Sequence, residues 1–523
     1  MVVRIHPGQF VHPILRRSLP TLGTLLLPWA ALFFPLPLQG QDPGVLSLRG
    51  ASPDSAELHE EARAAQRDFE VTHRSLLKRG RDSRGGQCDE VVGRLCLSDG
   101  DPWWEPAEED SRIVERREEL LALLEQVGAQ IPGDRWVIGQ RIRYLGDIGR
   151  WTEAESLART CVGPDDGWCH GLLGYVLHRS GSVVPSLEAF SRALSAMDPE
   201  MAEEWLDPYP LLEYPASRWF RNPGEIGPDG ARDRFWLLAD PLFLTPGNEA
   251  LSEHLARSFG ASLYEDTALT MGLPWGQSFE QLLLRYGFIA GWEQVPPDLG
   301  GTGVRKVVEH HHPESRGLLP PLEALEDPAG LPEGVWIPDD ERPRTASAPV
   351  GAPLIARGQA QTAVFRRGEN LLIVASYGVP TDTVLVKRRV KPDSVPELGG
   401  FGAPNRFPSR RPLWEPSVEG FAPDTLSGLF LVADTGSWAP LVAFGSGGRG
   451  VLQLRAPPGG YLLSLEQWCP AGRWGARVRH GVRGEALPVD VPHLSDLVLL
   501  DRGDELPTSL AEAAPRMRPS TGL

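Results

Sequence analysis

The hydrophobic pattern of the chain changes twice along its length. Residues 19–38 form a nearly continuous apolar run, LPTLGTLLLPWAALFFPLPL. Between about residues 110 and 200, apolar residues recur every three or four positions, which is the spacing of amphipathic helices. Beyond residue 354 they fall in short runs separated by glycine and proline, which indicates strands. This order predicts a multi-domain α+β protein with a helical N-terminal half, a mixed central domain and a C-terminal antiparallel β-sandwich.

The helical region contains an amphipathic helix followed by two similar helix-turn-helix units. In the helix, SRIVERREELLALLEQVG, the apolar residues gather on one face among charged residues. The second unit is LLGYVLHRSG with SLEAFSRALSAMDP, and its Gly174, Phe190 and Ala193 stand near the positions where a tetratricopeptide repeat has packing and small residues. The first unit matches less well, and its matching residues are Trp136, Gly149, Trp151, Ala154 and Cys161.

This region therefore resembles tetratricopeptide repeats, which stack because one helix pair cannot bury its apolar face alone. Two interpretations follow. The stacked pairs either form a concave groove for a partner protein or only support the neighbouring domain. Support is favoured, because about three repeats are normally needed for a self-standing groove.

The central segment carries a second resemblance. The stretch RFWLLADPLFLTPGNEALSEHLARSF is followed by PWGQSFEQLLLRYG. Together they resemble the core of the GWxTD-domain proteins, exported bacterial proteins to which no reaction has been firmly assigned. The chain departs from the family where Pro274-Trp275-Gly276-Gln277-Ser278 replaces Gly-Trp, a variable residue and Thr-Asp. The residues that carry the resemblance are Phe235, Trp236, Asp240, Pro241, Thr245, Pro246, Asn248, Glu249, Trp275, Arg285, Tyr286 and Gly287.

Local chemistry gives these polar residues ordinary structural roles. Asp240-Pro241 predicts a turn, and Thr245-Pro246 predicts the start of a helix that runs to Phe259. Asp240, Asn248 and Glu249 are therefore interpreted as turn and capping residues rather than catalytic groups. The run QLLLRYG predicts a buried strand that ends at Gly287.

Proline-rich segments separate and interrupt the C-terminal strands. Residues 313–353 predict a linker or a strap, and residues 391–424 predict either a strapped loop or a binding loop around Trp414. The boundaries predicted from the sequence are a signal peptide (1–41), an extension with a cysteine pair (42–107), helical repeats (108–200), a GWxTD-like domain (201–312), a linker (313–353), a β-sandwich (354–503) and a flexible tail (504–523).

The N-terminus predicts export. Arg4, Arg16 and Arg17 precede the apolar run, and small and polar residues follow it at Gln39-Gly40-Gln41. Prolines interrupt the run, so a cleaved secretory signal is favoured over a retained membrane anchor. The expected location is the periplasm or the exterior, with no transmembrane segment after cleavage.

Charge and cysteine content fit that compartment. The net charge of −17 argues against nucleic acid as a partner, because phosphate binding needs a cationic surface. Four of the five cysteines form two pairs with the same spacing, Cys88 with Cys96 and Cys161 with Cys169. In an oxidising compartment this spacing favours two local disulfides. Buried free thiols, a metal site or a haem site are the alternatives. Cys469 has no evident partner.

Few polar motifs point to chemistry. His310-His311-His312 lies beside two glutamates, but consecutive side chains point in different directions, so solvated or structural histidines are favoured over a metal site. The common hydrolase, zinc-protease, phosphate-loop and calcium-loop motifs do not occur. We therefore expect no cofactor and no metal, and a non-enzymatic module that binds another protein or an envelope component. The alternative is a hydrolase of an envelope polymer that acts through the central domain.

Overall fold

The structure is a computed structural model that describes residues 53–78, 90–92, 95–98, 108–161, 166–295, 306–311, 319–336, 354–378, 385–386, 415–416, 425–433, 440–470, 474–485, 496–501, 505 and 507–519. It is a mixed α+β protein. Helices dominate the N-terminal half and β-sheets the C-terminal region, as the hydrophobic pattern predicts. The predicted signal peptide and Cys88 lie outside the described residues, as do His312 and most of the proline-rich excursion.

Most of the helices lie before residue 290, and two short ones follow later in the chain. They are α1 (Pro53–Leu76), α2 (Ser111–Gln130), α3 (Arg135–Asp147), α4 (Trp151–Cys161), α5 (Gly167–Arg179), α6 (Val183–Ala196), α7 (Pro199–Leu206), α8 (Ala216–Arg221), α9 (Gly227–Ala239), α10 (Glu249–Ser262), α11 (Gln277–Tyr286), α12 (Leu322–Glu326) and α13 (Leu510–Ala513).

The strands begin before the repeats and continue after α11. They are β1 (Glu90–Val92), β2 (Leu95–Ser98), β3 (Ile289–Val295), β4 (Lys306–His311), β5 (Leu354–Arg357), β6 (Gln359–Arg367), β7 (Asn370–Gly378), β8 (Leu385–Val386), β9 (Glu415–Pro416), β10 (Leu426–Ala433), β11 (Leu441–Ser446), β12 (Arg449–Ala456), β13 (Gly459–Cys469) and β14 (Trp474–Gly484).

Aspartates start four of the helices. Asp110, Asp134, Asp166 and Asp198 precede α2, α3, α5 and α7, and each side chain accepts a hydrogen bond from a backbone N–H two or three residues later. Such a cap satisfies one of the donors that the first helical turn leaves without a partner. Gly149 and Gly181 follow α3 and α5 in the left-handed region, with φ of 74° and 89°. The chain therefore reverses after each of these helices at a residue that adopts this conformation without strain.

The helices from α1 to α6 share one apolar core with α10. Its fully buried members include Leu124, Ile142, Leu172 and Phe190. Close contacts between helices occur where one residue is glycine. A Cβ atom on Gly174 would lie 2.8 Å from the Phe190 ring, so α5 and α6 approach each other only because this position has no side chain.

Helix α10 packs against α5 and α6, and Leu263, the residue that follows it, contacts α3. A Cβ atom on Gly171 of α5 would lie 2.6 Å from the Phe259 ring of α10. At the C-terminal end of α10, Gln140 of α3 donates from Nε2 to the carbonyl oxygen of Leu263 at 2.6 Å. The central segment thus supplies a helix that packs on α5 and whose C-terminal end reaches α3.

Two sheets form the C-terminal region. The five-stranded sheet has the order β11-β10-β13-β14-β5, and the three-stranded sheet has the order β12-β7-β6. Apolar residues of both sheets form one core, with Ile373, Ala375, Leu429, Leu431 and Leu463 less than 1% exposed. Neighbouring strands are antiparallel with one exception, since β5 pairs parallel to β14. The parallel pair departs from the all-antiparallel prediction.

A smaller sheet joins distant segments. Its order is β1-β2-β4-β3, with β2 parallel to β4. The first two strands come from the extension before the repeats, and the last two follow α11. Residues 42–107 and 201–312 were predicted as separate units, yet they share this sheet.

Four sequence predictions differ from the structure. The run QLLLRYG lies in helix α11 rather than in a strand. The helix predicted from Pro246 begins at Glu249, with Asn248 as its cap. Part of the predicted linker packs inside, because Ala324, Leu325 and Leu331 are less than 3% exposed. The predicted flexible tail contains α13, and its Met517 is buried against Leu372 and Val374.

Candidate functional site

The residues of the GWxTD-like resemblance gather at the two ends of α10. Most of them lie in α9 and in the loop from α9 to α10, which packs on the five-stranded sheet. Phe235 and Trp236 are buried in α9, and Pro241, Thr245 and Pro246 lie in the loop. The others, from Trp275 to Gly287, belong to α11 and the residues beside it.

Asp240 and Asn248 have the turn and capping roles that the sequence predicts. Asp240 follows α9, and its Oδ1 accepts a hydrogen bond from the Leu242 N–H at 3.1 Å. Asn248 caps α10 by accepting from the Leu251 N–H at 2.9 Å, and its Nδ2 donates to the carbonyl oxygen of Trp236 at 2.6 Å. Asn248 therefore fixes the angle between α9 and α10 as well as the start of α10.

A buried ion pair from the sheet holds this loop. Glu466 of β13 and Arg479 of β14 are 3.2 Å apart, and both side chains are 0% exposed. Arg479 also donates to the carbonyl oxygens of Leu238 and Asp240, each at 2.9 Å. Glu466 accepts from the Leu244 N–H at 3.0 Å. The two charged side chains thus bind the loop backbone, so the outer face of the sheet fixes the loop between α9 and α10.

We call Asp240, Glu249, Glu466, Arg477 and Arg479 the joint cluster. Burial is the main cause that raises the pKa of Asp240 well above its usual range, and the neighbouring Glu249 adds to this. Burial also raises the pKa of Glu249 to about 7. One oxygen of Glu249, Oε2, is buried with no hydrogen-bond partner. Protonation of these carboxyl groups removes the cost of a buried charge, so near neutral pH the cluster holds protons that an exposed carboxylate would release.

A second polar group crosses from α5 to the middle of α10. The Ser252 Oγ lies 2.7 Å from His178 Nδ1, and His178 Nε2 contacts a carboxylate oxygen of Glu253. Arg257 donates from Nε to the other oxygen of Glu253 at 2.7 Å. Despite its burial, Glu253 has a pKa well below its usual range, because Arg257 and His178 stabilise its anion. We call Ser252, His178 and Glu253 the Ser-His-Glu chain.

The order of groups in this chain is the one that activates a serine nucleophile in hydrolases. Its surroundings differ from those of an active site. Ser252 is 0% exposed, His178 is 8% exposed and Glu253 is 4% exposed. Ser186 of α6 adds to the chain, since its Oγ lies 3.2 Å from that of Ser252. The arrangement therefore joins α5, α6 and α10 through hydrogen bonds inside the protein, where a substrate has no access in this conformation.

The motif residues around α11 also have structural roles. Trp275 stacks between Tyr264 and Phe279, at centroid distances of 5.1 and 5.6 Å. Gly287 ends α11 with φ of 82°, and a Cβ atom there would lie 2.8 Å from Arg257 Nη2. Arg285 lies with its guanidinium over the Tyr286 ring, 5.0 Å from the centroid. The absence of a side chain at Gly287 therefore leaves room for Arg257, which hydrogen-bonds from α10 to the end of α11.

Strand β11 presents a different kind of surface. It is the last strand on its side of the five-stranded sheet, and among the described residues its outward backbone groups have no strand partner. The strand reads LVAFGS, without charge or proline. On β11, Phe444 is 61% exposed and Leu441 is 37% exposed, and Leu426 of the neighbouring β10 is 45% exposed. Phe444 and Leu426 lie on one face of the sheet and Leu441 lies on the other, because Leu426 pairs with Ser446 and side chains alternate along a strand. We call these three residues the edge patch. Sheet edges in soluble proteins usually carry charge, proline or a bulge that prevents pairing, and β11 carries neither charge nor proline.

One predicted disulfide is present. Cys161 and Cys169 form a bridge with a Cα–Cα distance of 5.6 Å, which links the end of α4 to α5. The Cys88–Cys96 pair lies outside the residues whose side chains are described. Cys469 is free and buried. Where side chains are described, no set of three or more histidine, cysteine, aspartate or glutamate residues is arranged to hold a metal ion.

Sequence reasoning found the motif residues but not their partners. His178, Glu466, Arg477 and Arg479 come from other elements, and Glu466 lies 222 residues beyond its partner Leu244. A signal for the arginines was present, since Arg477 and Arg479 alternate with apolar residues in GARVRHGV and so share one face of a strand.

None of the helices in the described residues has the length and apolar character needed to span a bilayer.

Comparisons with known proteins give no relative. No protein-family model, no curated protein and no solved structure matches the chain. The resemblances to GWxTD-domain proteins and to tetratricopeptide repeats therefore stay predictions from the sequence.

Proposed function

We propose that this is an exported, non-enzymatic protein that binds another protein or an envelope component through the edge of its C-terminal sheet. In this proposal the chain is a divergent GWxTD-domain protein with two tetratricopeptide-like repeats and a C-terminal β-sandwich. The location, periplasmic or secreted, rests on the N-terminal signal pattern. The shared core of the two sheets supports the sandwich assignment.

The helical repeats have a supporting role in this proposal. Pairs α3–α4 and α5–α6 have the lengths and glycine contacts expected of such repeats, which supports the resemblance. Helix α10 already packs on α5 and α6, and Leu263 just after it binds α3 through a hydrogen bond. A partner peptide would have to displace this helix, so binding at another surface costs less.

The edge patch on β11 and the neighbouring β10 is the observation that carries the proposal. A free strand edge offers backbone donors and acceptors to an added strand, and alternate side chains give such a strand its specificity. Phe444 contributes an exposed aromatic ring, a type of residue that dominates binding energy at interfaces. The Phe444 ring meets the buried Phe430 ring edge to face, with centroids 6.1 Å apart, so it is held in place before a partner binds. We therefore expect an extended, apolar segment of a partner protein at β11.

Site-specific photo-crosslinking tests this assignment. A benzophenone amino acid at position 444 should form a covalent adduct with an envelope protein, and mass spectrometry should place the crosslink in an extended segment of that protein. The matched control is the same group at Val114, which is 45% exposed on α2. Phe444→Lys should reduce adduct formation from a probe at position 441 at least tenfold while the circular dichroism spectrum stays unchanged. Equal adducts at positions 444 and 114 would contradict the proposal.

A hydrolase that acts on an envelope polymer through the central domain is the second candidate. The Ser-His-Glu chain favours it, since its three groups have the order needed to activate a serine. A fluorophosphonate probe tests the idea, because it labels only a serine that is both activated and accessible. Labelling that is lost in Ser252→Ala and kept in Ser258→Ala, a change on the same helix, would establish the enzyme. No labelling of the folded protein supports the binding module.

A further inference from the structure

The guanidinium of Arg477 is buried but only partly hydrogen-bonded. Arg477 is 1% exposed, and its Nη1 donates to the carbonyl oxygen of Pro241 at 2.7 Å. The Trp336 ring lies over the guanidinium, with its centroid 5.1 Å from the Arg477 Cζ atom. Nε and Nη2 have no hydrogen-bond partner. The two unsatisfied atoms form one side of the planar group.

The Nε and Nη2 side of an arginine prefers ligands that present two oxygen acceptors side by side. Its two N–H bonds are parallel, and they match the two oxygens of a carboxylate in a bidentate pair. Arg479 lies two residues further along the same face of β14, and the Nε and Nη2 atoms of its guanidinium both have acceptors. Its Nε donates to Ser464 Oγ at 3.0 Å and its Nη2 donates to Glu466 Oε1 at 3.2 Å. Arg477 lacks an equivalent pair of acceptors, which makes this the one incompletely paired cation of the joint cluster.

Glu466 and Asp240 favour the charged form of Arg477, but they offset its burial and the nearby Arg479 only in part. Glu466 already binds Arg479 and the Leu244 N–H, and Asp240 binds the Leu242 N–H. Burial and then the neighbouring Arg479 lower the pKa of Arg477 well below its usual range. An arginine nevertheless keeps its proton in proteins, so the structure lacks a negative charge at this point. Water would satisfy the two donors but would leave the charge uncompensated.

We infer that the Nε and Nη2 side of Arg477 is a binding site for a small carboxylate, of the size of formate or acetate. The ligand accepts two parallel hydrogen bonds from Arg477 beside the Trp336 ring. It supplies the charge that Glu466 supplies to Arg479. Bound there, it stabilises the contact between β14 and the loop that leads to α10, since Arg477 donates to that loop through Pro241. The site is independent of the edge patch on β11.

Thermal unfolding of the full chain tests the inference. Acetate replaces chloride stepwise at constant ionic strength and constant pH, so that nonspecific screening does not change. We expect a rise in Tm of about 2 °C at tenfold excess over the dissociation constant, which continues with the logarithm of the acetate concentration. Arg477→Met keeps the length of the side chain but removes the donors, and it should abolish the response. Arg449→Met is the matched control at an exposed arginine of β12, and it should respond like the wild type.

Three outcomes would overturn the inference. The first is a wild-type Tm that is equal in acetate and chloride, and this result does not depend on any variant. The second is a response that Arg477→Met retains. The third is a response that Arg477→Lys retains in full, because lysine keeps the charge but presents no pair of parallel donors. If Arg477→Met does not fold, the wild-type and Arg477→Lys titrations decide the question.

Discussion

Arg479 of β14 and Glu466 of β13 form an ion pair in which neither side chain is exposed, and together they hold the backbone of the loop that starts α10. The pair joins the sheet to the helical half through hydrogen bonds to main-chain atoms. Its strength therefore bears on the stability of the whole molecule.

Removal of one partner should be costly. Arg479→Met leaves Glu466 as an uncompensated buried charge, and we expect a loss of about 3–5 kcal/mol in the free energy of unfolding. Denaturant titration followed by tryptophan fluorescence measures this loss. Arg449→Met, at the exposed pair with Asp501, should leave the midpoint unchanged. A midpoint in Arg479→Met equal to that of the control would show that the buried pair does not hold the joint.

Stability should fall as pH rises from about 4.5 to about 7. The pKa of Glu249 is raised to about 7 in the folded protein, so between its ordinary value and 7 the folded state binds more protons than the unfolded state. The folded protein is therefore favoured at low pH and loses about 3 kcal/mol from this group as pH rises from about 4.5 to about 7, with no further loss above that. Asp240 acts in the same direction, since its pKa is also raised.

The variant Glu249→Gln isolates this effect. The difference between its unfolding free energy and that of the wild type should change with pH between about 4.5 and 7, to the benefit of the variant at high pH. Glu188→Gln, on the exposed face of α6, should follow the wild-type curve. Parallel curves for wild type and Glu249→Gln would mean that Glu249 does not hold a proton in the folded state.

The disulfide should contribute to stability mainly through the unfolded chain. Cys161 and Cys169 close a short loop, and the Cys161→Ser, Cys169→Ser double variant should lose about 2–3 kcal/mol. Thermal unfolding with and without a reductant measures the effect. The reductant should lower the wild-type Tm by more than it lowers that of the double variant. An identical shift in both proteins would mean that the bridge contributes nothing.

The contact between α5 and α10 requires a glycine. Gly171→Ala places a Cβ atom 2.6 Å from the Phe259 ring, whereas Gly128→Ala on α2 meets only an ordinary contact at 3.6 Å with Val137. Both changes gain the same helix propensity of about 1 kcal/mol. The difference between the two variants should therefore report the steric cost alone, about 1–3 kcal/mol against Gly171→Ala. Chemical denaturation checks this, and two equally stable variants would mean that α10 moves away without cost.

Local patterns predicted much of the fold. Helices α2 to α6 follow from the apolar spacing, and the strands after residue 354 follow from short apolar runs between glycine and proline turns. The strand predicted for QLLLRYG is wrong, because three consecutive leucines by themselves indicate a buried strand. Phe279, Leu282, Leu283 and Tyr286 repeat at the helical spacing of three and four, and all four are buried in α11. A longer window would have revealed the helix.

The polar clusters were beyond prediction for a physical reason. Glu466 meets Arg479 because β13 and β14 pair in one register, and both meet the α9–α10 loop because the sheet packs against it. Such contacts depend on tertiary packing rather than on any local pattern. The capping role of Asn248 was predicted because a cap depends only on the next few residues.

Helix α10 contacts α5 directly and the end of α11 through Arg257. The residue that follows α10 contacts α3, and the loop that precedes α10 contacts the sheet. Unfolding of either the helical half or the sheet region alone would break some of these contacts with α10. The two halves of the molecule should therefore melt together, in a single calorimetric transition, although the sequence divides them into several domains.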